Sequence, residues 1–575
     1  MEALDGFGLF ADDNDGRGGE MTRETHGKNN DSMDTGAQYV ARKVPAAILR
    51  DGKARECDEM YVDITAVIHA AANNLQQKQR RPTSAVSEED VIAASVAYIE
   101  RLAEMFSPAE RLYVAADGVS PRATMQARRV ISHRNRCDGG EWNSNAVTPG
   151  TAFMERVDAA LATLEDRLRA RNTTPAFVAT VSQSSSASAA ECDRGGRGGC
   201  GLAKVFREVR DAREVRDARE VRDAREVRDA REVRDAREVR DAREVREAGA
   251  PPLAGRRVVI VGGMDDDVLL MAMAEYAGAR PGFYATLLVV RDPAGPGGGA
   301  GGGGAGGRST LVDVRSLAEG VAHSVMGAAT RAGATEFGAL VALVGNSAVP
   351  CLPSLNDNAD FDGIDALVGI YKDCIRTDER LMGGGPAVLG GLNIDLLRRI
   401  LGCVASGEDG MPGCRNRYHV AALGSADHGF VHQKCEAYVT MVAWSASYML
   451  RGVCLSDGMY YDGTHAPTAL NLYNALSDHL ERIVAAADRA LRASSDDFDR
   501  ARAAARVSRA EWQMLLVLPA SDAALVRRPH LRRAIETHVA YTVAGRRACH
   551  NLPTIDVHLL STAIQRAERR CAADI

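Results

Sequence analysis

The stretch MYVDITAVIH, residues 60–69, combines a short apolar run with an acidic residue, Asp63, near its centre. Such a run predicts a strand buried on both faces of a sheet, with Asp63 at its carboxyl end and a helix after it. Similar runs recur along the first half of the chain, at 111–118, 176–182, 256–267 and 285–292. Helical patterns separate them, so the sequence predicts an α/β domain with a mostly parallel, twisted sheet.

Acidic residues follow several of these predicted strands. Asp117 follows the second run, and Asp265 and Asp267 follow the fourth. The carboxyl ends of parallel strands share one edge of a sheet, so we expect these side chains to meet Asp63 there. Grouped carboxylates can hold two divalent ions about 4 Å apart, as phosphodiester hydrolysis requires. Isolated aspartates after strands also serve as caps and turns, so the pattern alone is weak support.

The composition limits the classes of function. The 575 residues include 71 Lys and Arg against 77 Asp and Glu, so any binding of nucleic acid requires a local basic patch. The 12 cysteines show neither zinc-site spacing nor a disulfide framework, and we expect reduced thiols in a cytoplasmic protein, with the nucleus as the alternative. No apolar segment reaches the length of a membrane span, so no membrane association is expected.

The chain divides into regions of different character. Residues 1–36 are polar and predict a disordered tail. Strand patterns then dominate until helical periodicity takes over near residue 395, with long patterns at 470–493 and 499–518. We therefore predict an α/β domain over residues 37–374 and a mainly α-helical domain over 375–575.

Two low-complexity inserts interrupt the predicted α/β domain. The first, residues 184–250, contains a REVRDA repeat from Arg207 to Glu247. Six residues rotate a helix by about 240°, so the valines form no apolar stripe, and the repeat predicts a solvated helix or a partly disordered rod. This helix is a candidate surface for a protein partner. The second insert, residues 293–308, is rich in glycine and predicts a flexible loop.

Several segments occur in an order typical of one known family. YVDITAVIH, AADGVSPRATMQARR, NSNAVTPGTAFM, DDDVLLM, LVGNSAVPCLPSL and ALVGIYKD resemble segments of the XRN-type 5′→3′ exoribonucleases. YVTMVAWSASYMLRGVC, YYDGTHAPTALNL and EWQMLLVLPAS resemble that family's helical middle domain. The resemblance covers about residues 37–530 without the two inserts, and no counterpart of the family's C-terminal accessory domains is expected.

The resemblance implies a PIN/FEN-like nuclease domain that digests single-stranded, 5′-monophosphorylated RNA with Mg²⁺ or Mn²⁺, as in mRNA decay. By position, Asp63 and Asp117 would hold one metal ion, and Asp265 and Asp267 the second. These four residues are also the implied catalytic groups. His69 matches a histidine that stacks on the terminal base, which we favour over an ordinary helix-face role.

A basic run without any acid lies between Asp117 and Asp138. It contains Arg122, Arg128 and Arg129, and also His133, Arg134 and Arg136. Such a run is often a solvated face. The family binds the 5′ phosphate with the equivalent stretch, so we predict a phosphate pocket formed by Arg122, Arg128 and Arg129.

The sequence departs from the family at several functional positions. Thr124 replaces a phosphate-binding lysine, and Ser347 replaces an acidic metal ligand. A hydroxyl is a poor substitute for a carboxylate on a hard cation. The segment YYDGTHAP keeps part of a family segment through Tyr460, Tyr461 and His465. These side chains are equally consistent with lining an RNA channel and with packing in a core.

The family's remaining pair of metal-binding glutamates has two possible counterparts. One register places Cys200 and Leu202 at these positions, and another uses Glu191 and Asp193. We favour the first register, because the insert separates Glu191 and Asp193 from the helix that follows. A thiol and an apolar side chain do not bind Mg²⁺, so the two-metal site is expected to be eroded and the ion is expected to bind weakly or to be lost.

Three hypotheses follow for the function. The first is an RNA exonuclease that works with fewer metal ligands, and the second is an inactive pseudo-nuclease that binds RNA or scaffolds partners. A DNA flap nuclease is a distant third, because it leaves the segments YYDGTHAP and EWQMLLVLPAS unexplained. Inserts in a compact core suggest a large DNA virus or another fast-evolving lineage, and a viral protein would act in the host cytoplasm.

Overall fold

The computed structural model describes residues 35–49, 56–78, 86–137, 142–170, 177–178, 209, 257–262, 266–278, 284–289, 310–328, 330–355, 362–377, 379–383, 387–406, 416–539, 552 and 554–573. Within these residues the strands are β1 (Ile48–Leu49), β2 (Glu59–Asp63), β3 (Arg111–Ala115), β4 (Phe177–Val178), β5 (Arg257–Gly262), β6 (Tyr284–Val289), β7 (Thr310–Asp313), β8 (Val388–Leu389) and β9 (Leu392–Asn393). The first seven form one sheet in the order β1-β7-β6-β5-β2-β3-β4, and β8 and β9 form a hairpin.

The sheet confirms the predicted strands. Each of the five apolar runs contains one strand, from β2 to β6, and these strands pair in parallel. The short strand β1 and the strand β7 add an antiparallel edge that the sequence patterns did not predict. The mostly parallel sheet places the carboxyl ends of β3, β2 and β5 side by side.

The central strands are buried on both faces, as their apolar sequences predict. In β2, Tyr61 packs into one hydrophobic core, and Met60 and Val62 pack into another on the opposite face. In β5, Ile260 and Val261 divide between the same two cores. This alternation follows from the two-residue period of a strand. A shift of β2 by one residue would exchange its two buried faces, so the pairing that places Asp63 at the carboxyl end of the sheet is strongly specified.

Helices cover both faces of the sheet and dominate the described part of the chain from Ile394 onward. They are α1 (Thr35–Lys43), α2 (Ile64–Lys78), α3 (Glu88–Phe106), α4 (Arg122–Cys137), α5 (Ala152–Ala170), α6 (Asp266–Gly278), α7 (Val314–Gly320), α8 (Ala332–Val341), α9 (Asp362–Cys374), α10 (Ile394–Ser406), α11 (His428–Arg451), α12 (Ala469–Ala504), α13 (Arg509–Val517), α14 (Pro529–Ala534) and α15 (Val557–Ala573).

Shorter helical turns link some of these helices. The 3₁₀ turns are Pro45–Ala47, Ser144–Ala146, Pro353–Leu355 and Ala520–Leu525, and the π turns are Val321–Val325, His419–Leu423 and Ile535–Val539. Among the residues that the structure describes, no helix is both long and apolar enough to cross a membrane.

The predicted helix over residues 499–518 is interrupted. Helix α12 ends at Ala504 and α13 begins at Arg509. Arg506 adopts a left-handed conformation, with φ of 53°, which a regular helix does not accommodate. Ser508 then caps α13, and Glu511 completes a capping box. The Ser-x-x-Glu spacing at residues 508–511 is therefore a sequence pattern that predicts the start of a new helix.

The sheet and the helical region share one core. The largest hydrophobic cluster includes Leu367 of α9 and Leu397 of α10, so it continues across the predicted boundary between residues 374 and 375. A separate cluster joins Met125 of α4 to Trp512 and Leu515 of α13. Helix α4, at the edge of the α/β domain, is thereby packed on the last helices of the chain.

The REVRDA repeat touches the core at its first valine. Val209 is fully buried and belongs to the largest cluster, so the prediction of a solvated helix or a partly disordered rod is wrong at this position. Helical rotation prevents the valines from forming one stripe, but it leaves a single valine free to pack. The other residues of the repeat lie outside the described residues, as does the Gly-rich insert.

Candidate functional site

Asp63 occupies the carboxyl end of the central strand β2. Its side chain is buried, with a relative exposure of 5%. Its Oδ1 accepts a hydrogen bond of 3.0 Å from the backbone N–H of Thr65 in the first turn of α2. Asp63 therefore caps the helix that follows β2. A carboxylate has further lone pairs, so this role is compatible with binding a metal ion as well.

Asp117 lies two residues beyond the neighbouring strand β3. The β2–β3 register places Asp63 opposite Ala115, so the two aspartates follow adjacent strand ends. The backbone N–H of Asp117 lies 3.4 Å from Thr65 Oγ1, and Thr65 thus connects the loops after both strands. The Asp117 side chain is buried, and its Oδ2 accepts a hydrogen bond of 2.7 Å from Arg128 Nη2.

The other two predicted acids follow β5, the neighbour of β2 on its opposite side. Asp265 lies outside the described residues, and Asp267 belongs by its backbone to the first turn of α6. The side chain of Asp267 is also outside the described part of the chain. Within the described part, no three His, Cys, Asp or Glu side chains form a group that could hold a metal ion. The convergence of all four acids therefore stays a prediction.

His69 lies on α2, one turn beyond Thr65, with an exposed side chain. Crowding by protein atoms lowers its pKa, the charge of Asp117 raises it, and the charge of Arg128 lowers it further. Because the imidazole is accessible, solvent screens these charges. A neutral, exposed imidazole beside the Asp117–Arg128 pair can stack on a base.

The arginines of α4 point in different directions. Arg128 pairs with Asp117 and retains 28% side-chain exposure. Arg122 turns to the helical region, where its Nη2 donates to the Ile555 carbonyl at 2.9 Å and its guanidinium lies 3.8 Å from the ring centre of Tyr460. Burial lowers the pKa of Arg122, whereas nearby Tyr460 and Asp556 raise it.

Arg129 lies on the inner face of α4 with a relative exposure of 1%. Ser132 and His133 share this buried face. Burial and the charge of Arg129 together lower the pKa of His133 to about 4, so His133 is neutral at pH 7. Arg122 and Arg129 also line one small cavity with Tyr460. Of the three predicted phosphate-binding arginines, Arg128 is the one beside Asp117.

The positions of Tyr460, Tyr461 and Thr124 indicate what each of these candidate residues does. Tyr461 is buried and donates to the His465 carbonyl at 3.0 Å, so it belongs to the core. Tyr460 instead faces Arg122. Thr124 Oγ1 donates back to the Pro121 carbonyl at 3.1 Å, which satisfies a local turn of α4.

The segment around Ser347 forms a turn after α8. Asn346 Oδ1 accepts from the backbone N–H groups of Ala348 and Val349 at 2.9 and 3.1 Å. Its Nδ2 donates to Ser445 Oγ of α11 at 2.8 Å. The segment therefore anchors the α/β domain to a central helix. The candidate ligands Glu191, Asp193, Cys200 and Leu202 all lie outside the described residues.

Two polar contacts near α4 were not predicted from the sequence. Gln513 is buried, and its Oε1 accepts from the Ser120 N–H at 2.7 Å. Asn145 Nδ2 donates to Asp522 Oδ2 at 2.6 Å and also reaches the Ser132 carbonyl at 3.0 Å. The Gln513–Ser120 and Asn145–Asp522 contacts join residues 393 and 377 positions apart, and no local pattern in the sequence marks such a pairing.

Known proteins match the region that contains this site. Residues 33–136 match the family model described as XRN 5'-3' exonuclease N-terminus. The chain therefore carries an XRN-type N-terminal segment. The XRN-type segment includes Asp63, His69, Asp117 and Arg128, and it ends within α4.

Curated relatives match a similar part of the chain. The 5'-3' exoribonuclease 1 of Schizosaccharomyces pombe is 32% identical over 142 residues, which are 22% of this chain and 10% of the relative. The 5'-3' exoribonuclease 1 of Saccharomyces cerevisiae is 27% identical over 139 residues, covering 21% of this chain and 9% of the relative. The 5'-3' exoribonuclease 2 of Schizosaccharomyces pombe is 28% identical over 134 residues, covering 18% of this chain and 13% of the relative. The XRN-type similarity thus spans a small share of each relative.

Proposed function

We propose that the chain is an XRN-type protein that binds single-stranded, 5′-monophosphorylated RNA and hydrolyses it slowly or not at all. The ion pair between Arg128 and Asp117 carries this proposal. Its two atoms are 2.7 Å apart, and the carboxylate is 7% exposed. The guanidinium already compensates the charge of Asp117, so a divalent cation has to compete with it for the same oxygen.

The chemistry of the described acids still fits a divalent ion. Asp63 and Asp117 are carboxylates on adjacent strand ends, and hard cations such as Mg²⁺ or Mn²⁺ prefer oxygen ligands. We propose that Asp265 and Asp267 add ligands from the β5 side in a PIN/FEN-like arrangement. A bound ion would supply positive charge to the oxygens of the scissile phosphate. Thr65 and Arg128 would hold Asp63 and Asp117 in place.

We propose that RNA enters where His69 and Arg128 are accessible. Arg128 retains enough exposure to share its guanidinium between Asp117 and a 5′ phosphate, and its planar fork suits both anions. The exposed imidazole of His69 offers a surface for the terminal base. Arg122 is engaged by Ile555 and Tyr460, so we assign it to domain packing rather than to direct phosphate contact.

The expected activity is low because the family's acids are incomplete. Ser347 replaces one carboxylate, and in the favoured register Cys200 and Leu202 replace two more. Loss of one group that stabilises developing charge commonly costs on the order of 10²-fold in rate. The second candidate function, an inactive RNA-binding pseudo-nuclease, is favoured by the same Arg128–Asp117 pair, because it compensates the charge of Asp117 without an ion.

One experiment tests both candidate functions. The purified full chain is incubated with 5′-monophosphorylated RNA, 5′-hydroxyl RNA and DNA of the same sequence, each with Mg²⁺, Mn²⁺ or EDTA. We expect salt-sensitive binding that prefers the 5′-monophosphorylated RNA, with slow turnover or none. The double variant Asp63→Asn with Asp117→Asn is compared with the exposed control Asp496→Asn.

The outcomes are distinct. Rapid, processive digestion that the double variant abolishes and Asp496→Asn preserves would overturn the proposal of weak activity. It would also support Glu191 and Asp193 as additional ligands. Absence of RNA binding at low salt would overturn both candidate functions, and a preference for DNA would favour the flap-nuclease alternative.

A further inference from the structure

Two cysteines from neighbouring helices meet in an open groove of the helical region. Cys374 is the last residue of α9, and Cys403 lies in the third turn of α10. Their Sγ atoms are 3.4 Å apart. Cys403 is exposed and Cys374 is half-buried, and both line a groove that also includes Arg376 and Tyr473.

The pair differs from the other cysteines that the structure describes. Cys57 and Cys435 are buried, and burial raises the pKa of each thiol to about 12. Burial also raises the pKa of Cys351 to about 12. Among the described cysteines, Cys374 and Cys403 are the pair with a sulfur–sulfur contact. Proximity and solvent access are both needed for chemistry between two thiols.

The geometry allows a covalent bond with little movement. A disulfide has an S–S distance of about 2.05 Å, so the two sulfurs must approach by roughly 1.3 Å. Helices α9 and α10 already pack together through Leu367 and Leu397 in the shared core. Rotation of the cysteine side chains can supply the approach, and the helices need not separate.

We propose that Cys374 and Cys403 form a reversible disulfide that ties the end of α9 to α10. The oxidant is a low-molecular-weight disulfide, such as oxidised glutathione. The thiolate of Cys403 attacks one sulfur of this reagent, forms a mixed disulfide and releases one thiolate. Cys374 then attacks the sulfur of Cys403 and releases the second. The two protein thiols lose two protons and two electrons, and the reagent is reduced to two thiols.

The order of attack follows from the surroundings of the two sulfurs. Cys403 is the more accessible sulfur, so it meets the reagent first. Burial raises the pKa of Cys374, the hydrogen bond with Cys403 raises it further, and the charge of Arg399 lowers it. Its thiolate is scarce at pH 7 and increases as the pH rises. The second step should therefore accelerate as the pH rises, by up to about tenfold per pH unit while the Cys374 thiolate is the minor form.

The bond would close the segment between α9 and α10. This segment contains β8, β9 and the backbone N–H groups of Leu381 and Met382, which donate to the buried Glu336 of α8. Closing a loop of this length restricts the unfolded chain and stabilises the folded one. We expect the melting temperature of the oxidised protein to exceed that of the reduced protein by a few degrees, on the order of 2–4 °C.

Peptide mapping of the full chain tests the proposal directly. The protein is equilibrated with oxidised glutathione at pH 8.5, alkylated and digested without reduction. Trypsin releases Cys374 in the peptide Asp373–Arg376, whereas residues 400–415 contain both Cys403 and Cys414. Additional cleavage after Glu408 separates those two cysteines. We expect one peptide pair joined through Cys374 and Cys403, and it should disappear after treatment with dithiothreitol.

Variants provide the matched comparison. Cys374→Ser and Cys403→Ser should each lose the joined peptides and the oxidation-dependent rise in melting temperature. Cys571→Ser and Cys414→Ser should retain both. A stable mixed disulfide of glutathione on Cys403, a Cys403–Cys414 bond or a bond between two molecules, without the Cys374–Cys403 pair, would overturn the proposal. An unchanged thiol count after oxidation would also overturn it.

Discussion

Arg128 Nη2 lies 2.7 Å from Asp117 Oδ2, and this contact connects helix α4 to the carboxyl end of strand β3. The carboxylate is largely shielded from water, whereas the guanidinium keeps one side accessible. A shielded carboxylate needs a positive partner, and here the partner comes from the protein itself.

Replacing Arg128 by glutamine should make the site depend on added cations. The variant leaves Asp117 without its guanidinium, so we expect a loss of about 2 kcal/mol in the free energy of unfolding. Mg²⁺ or Mn²⁺ at millimolar concentration should restore part of this loss, because an ion can then neutralise Asp117. Thermal unfolding with and without each ion measures both effects.

The control for this prediction is Arg500→Gln. Arg500 pairs with Asp497 at 3.3 Å on the surface, with 72% and 45% side-chain exposure. Exposed pairs contribute little, so this variant should be close to neutral and insensitive to the ions. Equal responses of the two variants would contradict the special role of the Arg128–Asp117 pair.

His133 should make the protein less stable in mild acid. Its pKa is about 4 in the folded protein and about 6.5 in the unfolded chain, so the unfolded chain binds the extra proton between these values. Stability contributed by neutral His133 is therefore complete above pH 6.5 and falls as the pH decreases toward 4. The total change is at most about 3 kcal/mol.

Urea unfolding between pH 7.5 and 4.5 tests the role of His133. His133→Gln should show a shallower loss of stability with decreasing pH than the unmodified protein. His428→Gln, at an exposed position, should follow the unmodified protein. An identical pH dependence for all three proteins would mean that His133 does not titrate as predicted.

Glu336 should be essential for joining α8 to the segment after α9. Its carboxylate accepts from the N–H groups of Leu381 and Met382 at 2.5 and 3.1 Å, and from the Tyr371 hydroxyl at 2.9 Å. Glu336→Leu leaves these donors without their acceptor in the interior, at an expected cost of about 3–5 kcal/mol. Glu336→Gln keeps one acceptor oxygen and should cost less. In urea unfolding, the exposed control Glu481→Leu should stay within about 0.5 kcal/mol of the unmodified protein.

The REVRDA repeat should matter for stability only at its beginning. Deletion of residues 213–247 should leave the melting temperature nearly unchanged, since their sequence contains no apolar stripe. Val209→Ala removes buried methyl groups and should cost about 2 kcal/mol. Differential scanning calorimetry of the two variants gives the comparison. A large loss from the deletion alone would show that later copies also pack.

The strands were predictable because their chemistry is local. Apolar runs such as 111–118 and 256–267 predict strands buried on both faces, and the structure has β3 and β5 at these positions. The antiparallel edge was not predictable in the same way, because β1 has two residues and gains its pairing only from β7. Short strands owe their existence to partners distant in sequence rather than to their own residues.

The candidate site was predictable in part for the same reason. A strand-end aspartate such as Asp63 or Asp117 is visible in the sequence, and parallel pairing dictates that the two are neighbours. The directions of the α4 side chains were not visible. Arg128 and Arg129 are adjacent, and the roughly 100° between successive helical residues turns one toward Asp117 and the other into the interior.

The packing of α4 on residues near 555 imposes an order on biosynthesis. Gln126 Nε2 donates to the Leu552 carbonyl and Arg122 Nη2 to the Ile555 carbonyl, each at 2.9 Å and across more than 420 positions. At a translation rate of about 5–20 residues per second, the ribosome makes these acceptors roughly 20–90 s after it makes α4. During that interval these two hydrogen bonds cannot form. A nonsense codon between Asp313 and Leu552 would make that condition permanent, even though every strand of the seven-stranded sheet had already been synthesised.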